Sequence, residues 1–354
     1  MRATTLFLTS SLACLQALAA TESDPILIVP DIITSAANEA SPAFAPDGRT
    51  VYFTRNNGND YDILVSEHHS AGWSMPVPAP FSGQWRDLEA TVAPDGSYLI
   101  FASSRPLPGA SAPPDGFWSG INHPGKGGNL WRVDRINRGG WSDPVRLPDL
   151  VNRNTSTFSP AVAADGTLYF MEVYGESQRF HLFRSEMRGG VYQPPEPMPF
   201  TSSDWSDVDP AVAPDESFLI FSSTRPPAPP QTQDLFIVFR SNGAWGEPRH
   251  LPERINRWRP IIEARLSPDA HTLYFTSSFV QSVHFPKDAA ATRKGLRDMQ
   301  SWNNGNGHIW QVDISDVLQS GPVGDKPAGA MPQCPRRIFT DPTAVPGCLH
   351  NVHQ

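Results

Sequence analysis

Short apolar runs joined by turn residues recur five times between residues 40 and 280, in a constant order. In each copy, two apolar stretches flank a turn that contains Pro, Asp and Gly or a close variant of them. In such a turn Pro presets φ, Asp accepts a hydrogen bond from its own backbone, and Gly supplies a positive φ. The pattern predicts five β-hairpins, whose turn aspartates are Asp47, Asp95, Asp165, Asp215 and Asp269.

A third apolar run follows every hairpin, at residues 61–65, 129–133, 181–184, 234–238 and 308–312. In four units an aromatic residue and a Pro then lead into a fourth short run; these aromatics are Trp73, Trp141, Tyr192 and Trp245. Four evenly spaced strands per unit are typical of a β-propeller blade. The sequence therefore predicts an all-β fold, a β-propeller of five four-stranded blades, with six blades as the alternative.

The fifth unit lacks a fourth run, and the N-terminal part of the chain supplies a match for it. Residues 27–33, Leu-Ile-Val-Pro-Asp-Ile-Ile, resemble residues 145–151, Val-Arg-Leu-Pro-Asp-Leu-Val, which form the fourth run of unit two. We expect the N-terminal strand to complete the last blade. Closing the ring in this way removes the unpaired sheet edges that an open array would expose.

The two ends of the chain differ from the repeats. Residues 1–20 combine Arg2, a short apolar run and Ala-Leu-Ala at 17–19, which predicts a cleaved signal peptide; a lipoprotein anchored through Cys14 is the less favoured alternative. The propeller is predicted to span 21–318, and residues 319–354 form a Pro- and Gly-rich tail. In a periplasmic or extracellular compartment we expect the tail cysteines, Cys334 and Cys348, to form a disulfide.

The charge of the chain disfavours two classes of partner. With 28 Lys and Arg against 36 Asp and Glu, the net charge is −8, and both signs are dispersed along the sequence. Binding to nucleic acid or to an anionic membrane needs a surplus of basic residues on one face. We therefore expect neither partner, and the sequence leaves the oligomeric state open.

The repeat resembles a known family in three features: the Pro-Asp-Gly hairpin, the aromatic residue that ends the second run, and Ser-Ser-x-Arg-Pro after it. The last feature occurs at 103–106 as Ser-Ser-Arg-Pro and at 222–226 as Ser-Ser-Thr-Arg-Pro. Together they resemble the TolB-like, WD-related β-propeller repeat of exported bacterial proteins, over about residues 40–318. The resemblance implies the fold. Related propellers include protein-binding modules and carbohydrate-active enzymes, so it implies little about activity.

Two loops between the second and third runs are much longer than the others. The loop of unit two runs from Arg105 to Gly128 and contains Trp118, and the loop of unit five runs from Phe279 to Gly307 and contains Trp302. Long loops in a compact domain are frequently functional. Both occupy the same place in their blades, so we expect them on one face of the ring, flanking blade 1.

Polar residues precede the first run of each unit, where a propeller has its central mouth. The carboxylates are Glu39, Asp87, Glu89, Asp207, Asp209 and Glu263, and the nearby arginines are Arg55, Arg105 and Arg225. As a ligand site, the mouth would offer carboxylates, arginines and the loop tryptophans Trp118 and Trp302. As scaffolding, each carboxylate would instead be tied to an arginine, and Arg105 and Arg225 would anchor Glu89, Asp209 or Glu263.

The sequence favours a binding module over an enzyme, because the acids are distributed over the repeats. We expect an exported propeller that recognises a protein, peptide or glycan at its mouth; the alternative is a carbohydrate-active hydrolase or lyase that uses carboxylates there. No catalytic residue is assigned. We expect no cofactor and no metal; residues 56–62 are rich in oxygen ligands, but without a closing Glu they indicate a polar turn rather than a Ca²⁺ loop.

Overall fold

The structure is a computed structural model that describes residues 23–136 and 139–321. Its strands form five antiparallel sheets arranged as a five-bladed β-propeller, as the repeat pattern predicts. The first strand of each sheet contacts the first strand of the next, and the contacts form a closed cycle through all five sheets. These first strands therefore line a central channel. The alternative of six blades is wrong.

Each blade has four strands, named a to d from the channel outward. In blade 1 they are Asn38–Phe44, Thr50–Asn56, Tyr61–His69 and Val77–Pro78. In blade 2 they are Asp87–Val92, Tyr98–Ser103, Asn129–Asp134 and Val145–Arg146. In blade 3 they are Thr157–Val162, Leu168–Tyr174, Arg179–Ser185 and Glu196–Pro197. In blade 4 they are Asp207–Val212, Phe218–Ser223, Asp234–Ser241 and Arg249–His250. In blade 5 they are Ile261–Leu266, Thr272–Ser277, His308–Asp313 and Ile26–Leu27.

The remaining elements are short additions to these blades. Small strands extend strand c or form hairpins outside the sheets, at Gly72–Trp73, Gly116–Trp118, Ile121–His123, Met187–Arg188, Val191–Tyr192 and Ala244–Trp245. The helices are Glu253–Asn256, Ala289–Met299 and Ser315–Gln319. None of the helices in the described part of the chain is long and apolar enough to cross a membrane.

The N-terminal strand closes the ring. Ile26 and Leu27 pair with Gln311 and Trp310 in strand c of blade 5, and the amide of Ile28 donates to the carbonyl of Ile309 at 3.1 Å. The predicted closure is confirmed, but its register was one residue off. Ile28 makes the backbone hydrogen bond that Leu147 makes in blade 2. The sequence match had instead aligned Val29 with Leu147.

The turns between strands a and b follow the predicted chemistry. Asp47 and Asp95 accept from the amides two residues on, at 2.8 and 2.9 Å, and the glycines that follow these aspartates have φ of 65° and 72°. Blade 4 has Glu216 at the glycine position, with φ of 57°. A glutamate pays a conformational cost there that glycine does not, so its side chain requires an explanation.

The Glu216 carboxylate joins blades 3 and 4. It is buried and accepts hydrogen bonds from the Tyr169 hydroxyl, from Arg184 Nε at 3.0 Å and from Arg240. Burial and the neighbouring carboxylate raise the pKa of the Tyr169 hydroxyl far above its usual range, which keeps it a neutral donor. Contacts to two arginines and a tyrosine thus offset the backbone strain of the turn.

Removing the charge of Glu216 should weaken this contact between blades. We expect Glu216→Gln to lower the free energy of unfolding by about 1–3 kcal/mol, since Arg184 and Arg240 lose their shared counter-charge. Urea unfolding followed by tryptophan fluorescence measures the effect. Glu247→Gln, at an exposed position on the same blade, is the matched control. Equal stability of the two variants would contradict the assignment.

Several sequence predictions lie outside the described residues. These are the signal peptide at 1–20 with Cys14, and the Cys334–Cys348 disulfide in the tail. They stay predictions.

Candidate functional site

A β-bulge in strand a of every blade brings one residue of each blade to the same level of the channel. The register of strands a and b shifts in all five blades, and the bulged residue has a positive φ of 50–58°. A bulge of this kind redirects a side chain out of the sheet pattern, and bulges recur beside functional sites. The five bulged residues are Ser41, Glu89, Ser159, Asp209 and Glu263.

The bulged residues bond to one another around the channel. Glu89 Oε2 accepts from the amide of Ser159 in the next blade at 2.7 Å, and Asp209 Oδ2 accepts from the amide of Glu263 at 2.9 Å. Glu89 and Asp209 are buried, whereas Glu263 keeps part of its surface accessible. Three carboxyl groups therefore gather where the sequence predicted the mouth.

Arg265 is the cation of this site, and the sequence analysis missed it. Its Nη2 donates to Ser159 Oγ at 3.1 Å, so the side chain reaches from blade 5 across the channel to blade 3. It is only 4% exposed. The channel has room for it because the corresponding positions of the other blades are small, namely Ala43, Thr91, Ala161 and Ala211. An arginine among four small residues in five aligned copies is the signal that would have found it.

Burial and mutual repulsion favour the protonated form of these carboxyl groups. They raise the pKa of Glu89 to about 7, with burial the main cause and Asp209 the second; Arg265 opposes the shift. The pKa of Glu263 lies well above its ordinary value for the same reasons, with Glu89 and Asp209 both adding to burial. Burial also raises the pKa of Asp209. At neutral pH the site holds protons that carboxyl groups in water would have lost.

The arginines predicted for the mouth pair with a different set of carboxylates. Arg55 Nε lies 3.1 Å from Glu39 Oε1, Arg105 bonds Asp87, and Arg225 Nη2 lies 2.6 and 2.8 Å from the two oxygens of Asp207. These carboxylates are the first or second residue of strand a, two residues before the bulge. The expectation that Arg105 and Arg225 anchor Glu89, Asp209 or Glu263 is therefore wrong. Glu39, Asp87 and Asp207 are the tied, structural set.

Three polar groups of the central site have no hydrogen-bond partner among the described residues. They are Ser41 Oγ, Glu263 Oε2 and Arg265 Nε. Buried polar atoms are normally paired, so unmatched ones need a reason. Together they leave a hydroxyl, a carboxyl oxygen and a guanidinium N–H of the central site with unused hydrogen-bonding capacity.

The long loop of blade 2 lies against blade 3, not blade 1. The backbone of Phe117 bonds Ser156 Oγ in both directions, at 2.9 and 3.1 Å. Trp118 stacks on His123 with 3.7 Å between ring centroids, and its edge meets Phe158. The expectation that both loops flank blade 1 is wrong for this loop. Trp118 packs within the blade 2–blade 3 contact and is not part of the central site.

The long loop of blade 5 does reach blade 1, through Asn304 and Asn306, which donate to the carbonyl of Ala36 at 3.0 and 2.8 Å. Its tryptophan, Trp302, lies elsewhere. It meets Trp310 of strand c edge-on, with 5.7 Å between centroids, and so belongs to the side of blade 5 and not to the central site.

Histidines and oxygen ligands do not assemble a metal site in the described part of the chain, where no cluster of three His, Cys, Asp or Glu residues is arranged to hold an ion. His308 instead bridges Glu39 and Asn304, at 3.3 and 3.0 Å. In the oxygen-rich segment, Asn57 Oδ1 accepts from the amides of Asn59 and Asp60, as a polar turn does.

Titration of Glu89 should make the fold less stable as pH rises. Its pKa is raised from 4.5 to about 7 in the folded chain, so the folded state binds the proton more tightly and loses stability between these values. The loss is at most about 1.4 kcal/mol per pH unit for one proton. We expect melting temperature to fall from pH 5 to pH 7.5, and Glu89→Gln to reduce the slope. Asp87, with a pKa raised to about 6, supplies part of the remainder. If the melting temperature of Glu89→Gln fell with pH as steeply as that of the wild-type chain, the assignment to Glu89 would be contradicted.

No known protein-family model matches the chain, and no curated protein matches it. Its fold is similar to that of several solved structures. A TolB of Agrobacterium tumefaciens is 16% identical with a TM-score of 0.44, over 71% of this chain and 74% of that one. The TolB of Acinetobacter baumannii is 11% identical with a TM-score of 0.43, over 78% of this chain but only 55% of that protein. A thermostable family-43 glycoside hydrolase is 11% identical with a TM-score of 0.47, over 80% of this chain and 91% of that one.

Proposed function

We propose that the chain is an exported propeller that recognises a protein, peptide or glycan at its central mouth. One observation carries the proposal. Glu89, Asp209 and Glu263 converge with Arg265 from different blades, and the site leaves Ser41 Oγ, Glu263 Oε2 and Arg265 Nε without partners among the described residues. Scaffolding alone accounts for the tied pairs of Glu39, Asp87 and Asp207. Among the tied carboxylates only Asp87 Oδ2 lacks a partner in the described residues, whereas the central site holds three unpartnered groups, which a ligand would satisfy.

The chemistry of the site suits a ligand with hydroxyl or amide groups. The raised pKa values of Glu89 and Glu263 leave protonated carboxyl groups that donate as well as accept hydrogen bonds. Arg265 adds a donor of fixed charge, and Ser41 adds a hydroxyl. Sugar hydroxyl groups and peptide amides each offer donors and acceptors in matching numbers. Binding such a ligand would complete the hydrogen bonds that the channel lacks.

A glycan and peptide array with the mature protein tests this function. The best hit is then titrated by calorimetry against Glu263→Gln and Glu89→Gln, each of which replaces a carboxyl oxygen that can accept a hydrogen bond with an amide NH2 that can only donate, but keeps the shape of the side chain. We expect affinity to fall about tenfold or more for each, corresponding to about 1.4 kcal/mol, while the melting curve stays cooperative. The exposed Glu247→Gln serves as control. Unchanged affinity in both mouth variants would refute the site.

The alternative, a carbohydrate-active hydrolase, draws support from a separate observation. A carboxyl group with a pKa of about 7 beside further carboxyl groups is what a general acid paired with a base or nucleophile requires. Incubating the array glycans with the protein and measuring released reducing ends separates the two functions. Turnover that Glu89→Gln abolishes, with binding retained, would make the enzyme correct.

A further inference from the structure

A second cavity lies on the side of blade 5, away from the central site. Its volume is about 600 Å³, within the range of ligand pockets, and its wall includes Pro25, Ile26 and Leu27 of the closing strand. Its floor is aromatic: Trp258 lies 4.4 Å from Trp310 and 4.9 Å from Phe279 between centroids, and Trp302 meets Trp310 edge-on. We call the cavity bounded by Trp258, Phe279, Trp302 and Trp310 the aromatic pocket.

The side chains that line the aromatic pocket carry few hydrogen-bond acceptors. The indole N–H groups of Trp258 and Trp310 are buried without an acceptor among the described residues, and Trp310 is only 5% exposed. Arg257 at the rim of the pocket donates to Asp24 at 2.7 Å. Gln281 is the one lining side chain that carries an acceptor, its amide oxygen, as well as a donor. A saccharide would bring many hydroxyl donors to a lining with few acceptors. A proline-rich peptide brings ring faces and carbonyl acceptors with few N–H groups, which matches this lining.

The chain itself contains such a segment, directly after the last described residue, Gly321. Residues 322–354 include six prolines, and 332–335 reads Pro-Gln-Cys-Pro, a P-x-x-P sequence. One guanidinium connects the start of this segment to the pocket. Arg254 donates to the Ser23 carbonyl at 2.8 Å, two residues before Pro25 of the pocket wall, and to Asp316 at 2.6 Å, six residues before Pro322.

We propose that the aromatic pocket binds the P-x-x-P sequence at 332–335 of the same chain. Pro332 lies eleven positions after Gly321. In an extended polyproline conformation these eleven steps span about 34 Å, ample for a pocket that shares Arg254 with the start of the segment. Tethering raises the effective concentration of the segment to about the millimolar range, so a weak contact suffices to keep the pocket filled.

Trypsin cleavage after Arg336 or Arg337, directly beyond the P-x-x-P sequence, tests this proposal on the full mature chain without reduction. If about nine-tenths of the molecules are docked, cleavage is slowed about tenfold. We expect Trp302→Ala to raise the cleavage rate by about that factor. Trp118→Ala, in the other long loop and outside the pocket, should leave it unchanged. Equal rates in the wild-type and Trp302→Ala chains would overturn the proposal.

A tail variant keeps the test independent of any effect of Trp302→Ala on folding. The double change Pro332→Ser and Pro335→Ser leaves the propeller sequence intact and should give the same faster cleavage, whereas Pro342→Ser with Pro346→Ser should not. A synthetic peptide of residues 329–338 should bind the first double variant and bind the wild-type chain about tenfold more weakly. Equal binding to both would show an open pocket and overturn the proposal.

Discussion

Deleting residues 21–34 should make the mature protein insoluble or lower its melting temperature by more than about 10 °C. The deletion removes strand d of blade 5 and two fully buried side chains, Ile28 and Ile33, which pack with Val51, Phe53 and Ile309. Truncating a single buried isoleucine to alanine typically costs about 2–5 kcal/mol, and whole domains are stable by only about 5–15 kcal/mol. The loss also exposes the edge of strand c to other molecules, which promotes aggregation.

Point variants distinguish loss of packing from general damage to the N-terminus. Ile28→Ala should lower the melting temperature clearly, because the side chain is 2% exposed. Ile26→Ser, two residues away and 42% exposed, should change it little. Circular dichroism melts of the deletion variant, Ile28→Ala, Ile26→Ser and the full mature chain measure the order of their melting temperatures. A deletion variant that melts like the full mature chain would disprove closure by this strand.

The blade architecture was accessible to sequence reasoning because its signals are local. Each Pro-Asp-Gly turn fixes a hairpin from adjacent residues, and apolar runs of constant spacing fix how many strands follow. The closing strand was also found, since residues 27–33 repeat a motif present at 145–151. Its register was misplaced by one residue because the structure contains an extra residue between Ile28 and Ile33, in a turn where Val29 and Asp31 adopt positive φ. A match between two short sequences carries no information on the conformation of such a turn.

The central site was accessible only in part, because it depends on contacts across the ring. The repeats placed Glu89, Asp209 and Glu263 at equivalent positions, and that placement holds. Which carboxylate meets which arginine depends on side-chain direction. The two sets of acids are two residues apart in strand a, and the bulge between them sends them to different partners. Arg265 acts two blades away in sequence order, at Ser159, which no local pattern indicates.

The directions of the long loops were inaccessible for a similar reason. Both loops leave the same position of their blades, yet one is fixed to blade 3 by Ser156 and the other to blade 1 by Asn304. A few hydrogen bonds to side chains decide between two neighbouring blades. Trp302 consequently contributes to the aromatic pocket and not to the mouth, although its loop begins on the mouth face.

Asp207→Asn should destabilise the protein strongly, by about 3–5 kcal/mol, while Asp209→Asn, two residues on, should not. Arg225 is 8% exposed, bonds both oxygens of Asp207 and packs over Phe221, so the amide strands a buried positive charge. Asp209 is different. Burial raises the pKa of both aspartates, but Asp209 bonds the neutral amide of Glu263, and an asparagine oxygen keeps that bond.

Urea unfolding of both variants at pH 7 measures the contrast in one experiment. We expect Asp209→Asn to lie within about 1 kcal/mol of the wild-type chain, since removing an unfavourable buried charge offsets the weaker hydrogen bond. Ligand affinity should follow the opposite order, lost in Asp209→Asn and retained in the folded fraction of Asp207→Asn. If both changes lower the free energy of unfolding equally, the tied carboxylates and the central carboxylates form one structural set. The proposal of a ligand site at the mouth would then be refuted.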